Sequence, residues 1–439
     1  SVSGGAYNDT FVGSNATLTT GDSLTGGSGT DVLRYTATGA AAVTENGFTT
    51  SSVETLKIQS DATGGTTFTA TGSTDVSKVI NTLSTTDVTV DGLKALTTVE
   101  LTDVQAGDTQ IKFNSDLLKG SADAVTLNLN GNVTTAGGSI GTITLGNTAG
   151  TGVETVNVNS SGAASEITTI AGGLTTLNVT GDKALTISGA LAGVTTVDAS
   201  AFTGNLSVVL DSDTTSKDVV VTGGSGNDTA DFTDGFEADD SFTGGDGTDS
   251  IKLTQAVASG TINGTLSGVE NLTISDSGTG TIDMDSFSGI TRVVYDAGIT
   301  ANGTATVDDA VSGITVEVDA ANLVAADGSL VVDLKTDGAD DVVTVAIDAV
   351  AAGEGIATLN AADAETLNIS VDDDSTDATG TFTIATLVAS DATKVVLSGD
   401  SVITLTATTD PTTPVLATLD ASAATDKLTI SGTDFAKGG

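Results

Sequence analysis

The chain has no cysteine, no histidine and no tryptophan, two prolines, and only 14 basic residues among 439. Without cysteine there are no disulfides and no thiol chemistry. Without histidine the commonest general base and the usual zinc or copper ligand are gone. No apolar run reaches the roughly 18 residues that a spanning helix needs, so no membrane span is expected. With aromatics at 3%, the apolar residues are almost wholly Ala, Val, Ile and Leu. Such small side chains suit a narrow solenoid interior better than a thick globular core. The opening SVSGGAYNDT has neither the basic nor the apolar region of a signal peptide, and there is no initiator Met, so the chain is expected to be part of something longer.

Charge is lopsided. Against 57 acids the 14 bases leave a net charge of −43. A chain of this sign does not bind a phosphate backbone through a basic patch, which excludes nucleic acid as a partner. Up to residue 220 there are 21 acids and 8 bases, net −13; beyond it there are 36 and 6, net −30. The acids cluster, as in Asp239-Asp240, Asp308-Asp309, Asp340-Asp341 and Asp372-Asp373-Asp374. Two like charges about 4 Å apart repel by about 4 kcal/mol at an effective dielectric near 20. Divalent cations relieve that repulsion.

The 54 glycines are not scattered evenly. GGSGNDTAD from Gly223 and GGDGTDSIK from Gly244 fit the nonapeptide GGxGxDxUx, where U is a large apolar residue, although Ala230 is small for that place. GGAYNDTFV from Gly4 and GGSGTDVLR from Gly26 repeat it near the start of the chain. In this pattern glycines at positive φ turn carbonyls inward, the Asp at position six adds a carboxylate, and the result is a hard oxygen cage suited to Ca²⁺. The candidate metal residues are therefore Gly4, Gly5, Asn8 and Asp9; Gly26, Gly27, Ser28, Gly29, Thr30 and Asp31; Gly223, Gly224, Ser225, Gly226, Asn227 and Asp228; and Gly244, Gly245, Asp246, Gly247, Thr248 and Asp249. Worn copies between the blocks keep Asp22 with Leu24 and Asp240 with Phe242, on the opposite edge of the expected roll. Asp228 and Asp249 are 21 residues apart and Asp9 and Asp31 are 22 apart, so paired turns are expected to stack and share cations. Tyr7 stands where the fourth-position glycine belongs, and a left-handed turn there costs about 1 kcal/mol or more.

The sequence is duplicated. DSLTGGSGTDVLRY from Asp22 aligns with DSFTGGDGTDSIKL from Asp240, an offset of 218. Past the glycines, SVETLKI at Ser52 matches GVENLTI at Gly268, GVETVNV at Gly152 matches DAETLNI at Asp363, and VDASAF at Val197 matches LDASAA at Leu419. Two tandem homologous units, 1–220 and 221–439, follow.

Between these landmarks, segments such as LKI at Leu56, VTV at Val88 and TLNV at Thr176 alternate apolar with polar residues, the period of a half-buried strand. Helical periodicity is almost absent, SDLLK from Ser115 being the one short candidate. Equivalent core positions are assigned to Leu56, Val79, Val99, Leu127, Val156, Leu177 and Val197, then to Leu272, Val293, Val316, Val345, Leu367, Val395 and Leu419. The steps of 20 to 29 residues are those of a parallel β-helix coil, with or without an inserted loop. An all-β parallel β-solenoid with β-roll turns is expected.

Short runs of GGxGxDxU followed by long Thr/Ala/Val/Gly-rich β sequence with VETLxI phrases resemble the calcium-binding RTX-type S-layer and surface proteins of Gram-negative bacteria. The likeness in phrasing covers most of the chain. It implies type I secretion, a Ca²⁺-dependent right-handed β-solenoid, self-assembly at the bacterial cell surface and anchoring to surface polysaccharide. A structural protein, not an enzyme, is the reading taken.

Two other readings stand beside it. A repeat region of a large type I secreted adhesin shares the composition. Parallel β-helices also host polysaccharide-active enzymes built on paired Asp, but such sites need aromatic and basic residues to hold sugar, and three Tyr with scattered Lys supply few. The Gly181-Asp182 and Gly399-Asp400 steps, again 218 apart, are either calcium turns or plain corners.

Overall fold

A computed structural model describes the chain except for residues 136–137, 148–151, 211–217, 234, 261, 263, 320–327, 349–351, 373–380, 407–417 and 431–439. Asp373 and Asp374 of the acidic run lie outside the described residues. The chain divides into two compact units: Ser1–Asp211, Thr215–Asp231 and Phe242–Gly247 belong to the first, while Phe232–Ser241 and Thr248–Gly439 belong to the second. Each is a parallel β-solenoid.

Alternation explains the strands. In Thr55–Ala62, Leu56, Ile58 and Ala62 are buried while Lys57, Gln59 and Asp61 are partly exposed, and Val342–Asp348 repeats the pattern. Successive side chains of a strand point to opposite faces, so one face fills the interior and the other meets water. Each coil supplies such strands to two rows. In the first unit one row runs through Val32–Gly39, Thr55–Ala62, Lys78–Thr82, Thr98–Thr102, Ala124–Thr135, the start of Thr155–Ala171, Thr176–Gly181 and Thr196–Phe202, all parallel. The other runs through Val43–Glu45, Thr66–Thr69, Val88–Leu93, Thr109–Phe113, Gly138–Gly146, the end of Thr155–Ala171, Leu185–Leu191 and Leu206–Leu210.

The rows close on each other. Tyr35 of one meets Phe68 of the other edge-on at 5.3 Å, and Phe48 lies 4.8 Å from Phe68. The buried Glu45 accepts the Tyr35 hydroxyl at 3.1 Å, and burial is the main reason its carboxyl stands above the usual range. The second unit repeats the plan: Ser250–Leu253, Asn271–Ile274, Arg292–Tyr295, Thr315–Asp319, Val342–Asp348, Thr366–Asp372, Lys394–Gly399 and Thr418–Ala424 form one row. Its other row begins with Gly280–Asp283, Thr304–Ala310 and Gly328–Leu334.

The register agrees with the expected core positions at most steps, including Leu56 to Val79, Val99 to Leu127 and Val316 to Val345. It departs once in each unit. Leu127 pairs with Val158, and Val156 with Val125; Val345 pairs with Ile369, and Leu367 with Val343. The slip is two residues, which keeps every side chain on its own face. Val125, Leu127 and Leu129 are all buried, so alternation alone does not say which of them starts the rung. Helix is confined, among the described residues, to a 3₁₀ turn at Ser115–Leu117, where one was expected, a second at Met284–Ser286, and one α-helical turn at Gln255–Ala258.

Candidate metal centre

The glycine turns stack as pairs. Ser28 N–H donates to the Gly5 carbonyl at 3.0 Å, and Asp246 N–H to the Gly224 carbonyl at 3.0 Å. Gly4 N–H reaches Thr25 O at 2.8 Å, and Gly223 N–H reaches Thr243 O at 2.7 Å. The first turn therefore lies on the second through equivalent bonds in both blocks.

Positive φ is needed at fewer glycines than the motif suggests. Gly27, Gly29, Gly245 and Gly247 are left-handed, with φ between 107° and 132°; Gly4, Gly5, Gly26, Gly223, Gly224, Gly226 and Gly244 are not. At Gly4, Gly26, Gly223, Gly224 and Gly226 the requirement is close approach. A Cβ on Gly26 would collide with Ser52 O and Asp31 Oδ2, one on Gly224 with Phe202 O, and one on Gly226 with Gly204 O. Tyr7 is 84% exposed and is absent from the left-handed residues, so the strain anticipated there does not arise.

The motif carboxylates turn inward. Asp31 and Asp249 are 0% exposed, Asp228 2% and Asp240 4%, which places four of the seven candidate Asp among the few buried charged residues of a very acidic chain, whereas Asp246 is exposed. Asp9 and Asp22 are only partly covered. Asp228 Oδ2 accepts Gly224 N–H at 2.6 Å and its Oδ1 accepts Leu206 N–H at 2.8 Å. Burial nevertheless pushes the Asp228 carboxyl above its ordinary range, against those two bonds. Asp9 Oδ2 accepts Gly5 N–H at 2.6 Å. Asp31 Oδ1 accepts Asp9 N–H at 2.7 Å, and its buried Oδ2 has no hydrogen-bond partner. An uncompensated buried carboxylate oxygen costs several kcal/mol unless a cation or donor meets it, at roughly the scale of a lost charged hydrogen bond or more. Residue chemistry and geometry here fit Ca²⁺: carbonyls and carboxylates only, in a cradle that a single Cβ would fill.

Other candidates have humbler partners. Asn8 Oδ1 accepts Thr30 N–H at 2.9 Å, tying the two turns together. Asp22 Oδ2 accepts Thr19 N–H at 2.8 Å and the Thr19 hydroxyl at 3.0 Å, which holds its carboxyl below the usual range. Asp240 Oδ2 accepts Glu237 N–H at 2.7 Å. Both worn copies thus accept backbone N–H groups of their own turns. Asp182 is ion-paired to Lys183 at 2.8 Å, with both side chains largely exposed.

No protein-family model matches the chain, and no curated protein matches it either.

A second acidic group was not singled out by sequence. Asp283, Asp285 and Asp309 bring carboxylate oxygens within 4.8 Å of one another and could hold a metal ion. Asp283 and Asp285 are exposed, Asp309 is partly buried and left-handed at φ 54°, and Lys335 is ion-paired to Asp285. Desolvation and the neighbouring Asp285, Asp308 and Asp283 raise the Asp309 carboxyl. The signal was present: Asp283-Met284-Asp285 and Asp308-Asp309 lie one coil apart, with Asp283 and Asp308 in register. Beside them Asp333 contacts Asp363 and Asp308, and is pushed up to about 6, first by its hydrogen bond with Asp363 and then by desolvation.

The VETL phrases also acquire a role. Glu54, Glu154, Glu270 and Glu365 each accept, through Oε2, the backbone N–H of an Asp in the preceding coil: Asp31 at 2.7 Å, Asp123 at 2.9 Å, Asp249 at 2.9 Å and Asp341 at 2.8 Å. The apolar residue before each Glu, Val53, Val153, Val269 or Ala364, is fully buried and anchors the corner.

Proposed function

We propose that this chain is a structural cell-surface protein that folds and self-assembles with Ca²⁺ into an S-layer-type lattice. The observation that carries the calcium part is Asp31: a fully buried carboxylate with one oxygen lacking a hydrogen-bond partner, facing the space beside Gly26 together with the Ser52 carbonyl. Asp9, Asp31, Asp228 and Asp249, with carbonyls of their turns, would hold the ions. Bound Ca²⁺ supplies positive charge that offsets carboxylate repulsion; it also ties successive coils together. Extracellular modules of this kind bind at about 10⁻⁴ to 10⁻³ M.

Secretion, the cell-surface location and a polysaccharide anchor come from the family resemblance alone. A narrow solenoid with a polar outer face suits a repeating lattice, since each coil presents the same backbone frame to a neighbour. The adhesin reading shares every calcium feature and differs in assembly. The enzyme reading is less well supported, because three Tyr, no Trp and scattered Lys supply few groups to hold a sugar. Electron microscopy of protein reassembled by adding Ca²⁺ tests the proposal: two-dimensional sheets are expected, whereas isolated rods favour the adhesin and dispersed monomers refute self-assembly.

A further inference from the structure

We propose that each calcium stack runs one coil beyond its glycine motif and is closed there by a glutamate, Glu54 in the first block and Glu270 in the second. This rests on the calcium reading above and adds ligands that the motif does not contain.

The oxygens repeat from coil to coil. The space that a Cβ on Gly4 would fill is faced by Asp9 Oδ2 and the Gly26 carbonyl; at Gly223 it is faced by Asp228 Oδ2 and the Gly244 carbonyl. Each such space lies between a turn's own carboxylate and a carbonyl of the next coil. At Gly26 the same space is faced by Asp31 Oδ2 and the Ser52 carbonyl. Yet Ser52 belongs to SVETL, which has no glycine turn. Ser52 reaches this place by taking φ 51°, a left-handed value that costs a side-chain-bearing residue about 1–2 kcal/mol, and its counterpart Gly268 takes φ 59°.

The carboxylates repeat as well. Asp31 stands to Asp9 as Glu54 stands to Asp31: one oxygen of each accepts the backbone N–H of the acid one coil earlier, at 2.7 Å in both cases. Asp31 uses Oδ1 for this and leaves Oδ2 to the buried space beside Gly26. Glu54 uses Oε2 for the same bond, and Oε1 is the oxygen assigned to the metal under this proposal. Asp249 and Glu270 form the same bond at 2.9 Å.

Glu154 and Glu365 provide the internal control, because they make the identical bond to Asp123 and Asp341 outside any glycine motif. Gln in place of Glu keeps an acceptor for the N–H and removes the charge. The test is equilibrium dialysis with Ca²⁺ alone on the wild-type chain, on Glu54→Gln/Glu270→Gln and on Glu154→Gln/Glu365→Gln, with circular dichroism at saturating Ca²⁺ confirming the fold. The expected result is affinity weakened about 10- to 100-fold for a subset of sites in the first double variant, and binding unchanged in the second. Equal effects in both pairs, or none in either, overturn the glutamate closure while leaving the motif sites standing. A wild-type chain that binds no Ca²⁺ overturns the closure and the calcium reading together. Should the first variant fail to fold, Glu54→Asp/Glu270→Asp keeps the charge and shortens the arm; wild-type affinity in that pair overturns the closure, and weakened binding supports it.

Discussion

The backbone N–H of Asp31 donates to Glu54 Oε2 at 2.7 Å across 23 residues, tying a glycine turn to the first coil that lacks one. Its counterpart, Asp249 to Glu270, spans 21 residues. Two further copies occur at Asp123 and Asp341, where the glycine motif is absent. The bond is therefore a corner device of the solenoid, formed with or without a glycine motif beside it.

Removing that device should be costly where no metal is involved. Glu154→Ala leaves the Asp123 N–H without its acceptor, and a hydrogen bond to a charged group contributes about 1.5–3 kcal/mol. Urea unfolding at saturating Ca²⁺ should show a loss of that size, and Glu154→Gln should recover most of it. Equal stability of the Ala and Gln variants would rule out the bond as the cause.

Gly26 and Gly39 separate space from backbone strain. Gly26→Ala pushes a Cβ onto Ser52 O and Asp31 Oδ2 without any φ penalty, and overpacking of this sort costs about 1–3 kcal/mol. Gly39→Ala meets nothing within 4 Å but sits at φ 131°, so only the strain remains. Calcium affinity should fall in the first variant and stay constant in the second, as read by calcium titration.

Much of this was legible in the chain itself, and the limits have physical causes. Period-two alternation and the spacing of VETL phrases locate the coils, because a parallel ladder forces equivalent residues into register. The two-residue slips at Val156 and Leu367 were not legible, since Val125, Leu127 and Leu129 are interchangeable as buried rungs. The motif Asp were found because glycines at fixed offsets mark a turn. The Asp283, Asp285 and Asp309 group has no such marker and is assembled only when one coil lies on the next. Nor did the sequence separate glycines that need positive φ, such as Gly29, from those that need room, such as Gly26.

Asp333 makes the second unit sensitive to pH. Its folded carboxyl titrates at about 6 against an ordinary 3.8. Between those values the folded state holds the proton that the unfolded chain releases, so stability falls as pH rises from about 4 to about 6 and then levels. Asp333→Asn should abolish that fall. Chemical denaturation of both proteins across the range, at one fixed Ca²⁺ concentration, measures it; parallel curves would show that Asp333 contributes nothing.

Asp249→Ala removes a fully buried motif carboxylate. Calcium affinity should drop about 10- to 100-fold at the sites that use it, with fewer ions bound at a given concentration. Unaltered stoichiometry and affinity by calorimetric titration would remove Asp249 from the ligand set.

The most direct measurement is circular dichroism of the wild-type chain as Ca²⁺ is withdrawn by a chelator and then restored. With 57 acids against 14 bases and a buried Asp31 oxygen that no donor meets, the β-sheet signal should be lost on chelation and return with Ca²⁺ in the millimolar range, with Mg²⁺ a poor substitute. A spectrum and thermal midpoint that stay the same with chelator present would contradict calcium-dependent folding.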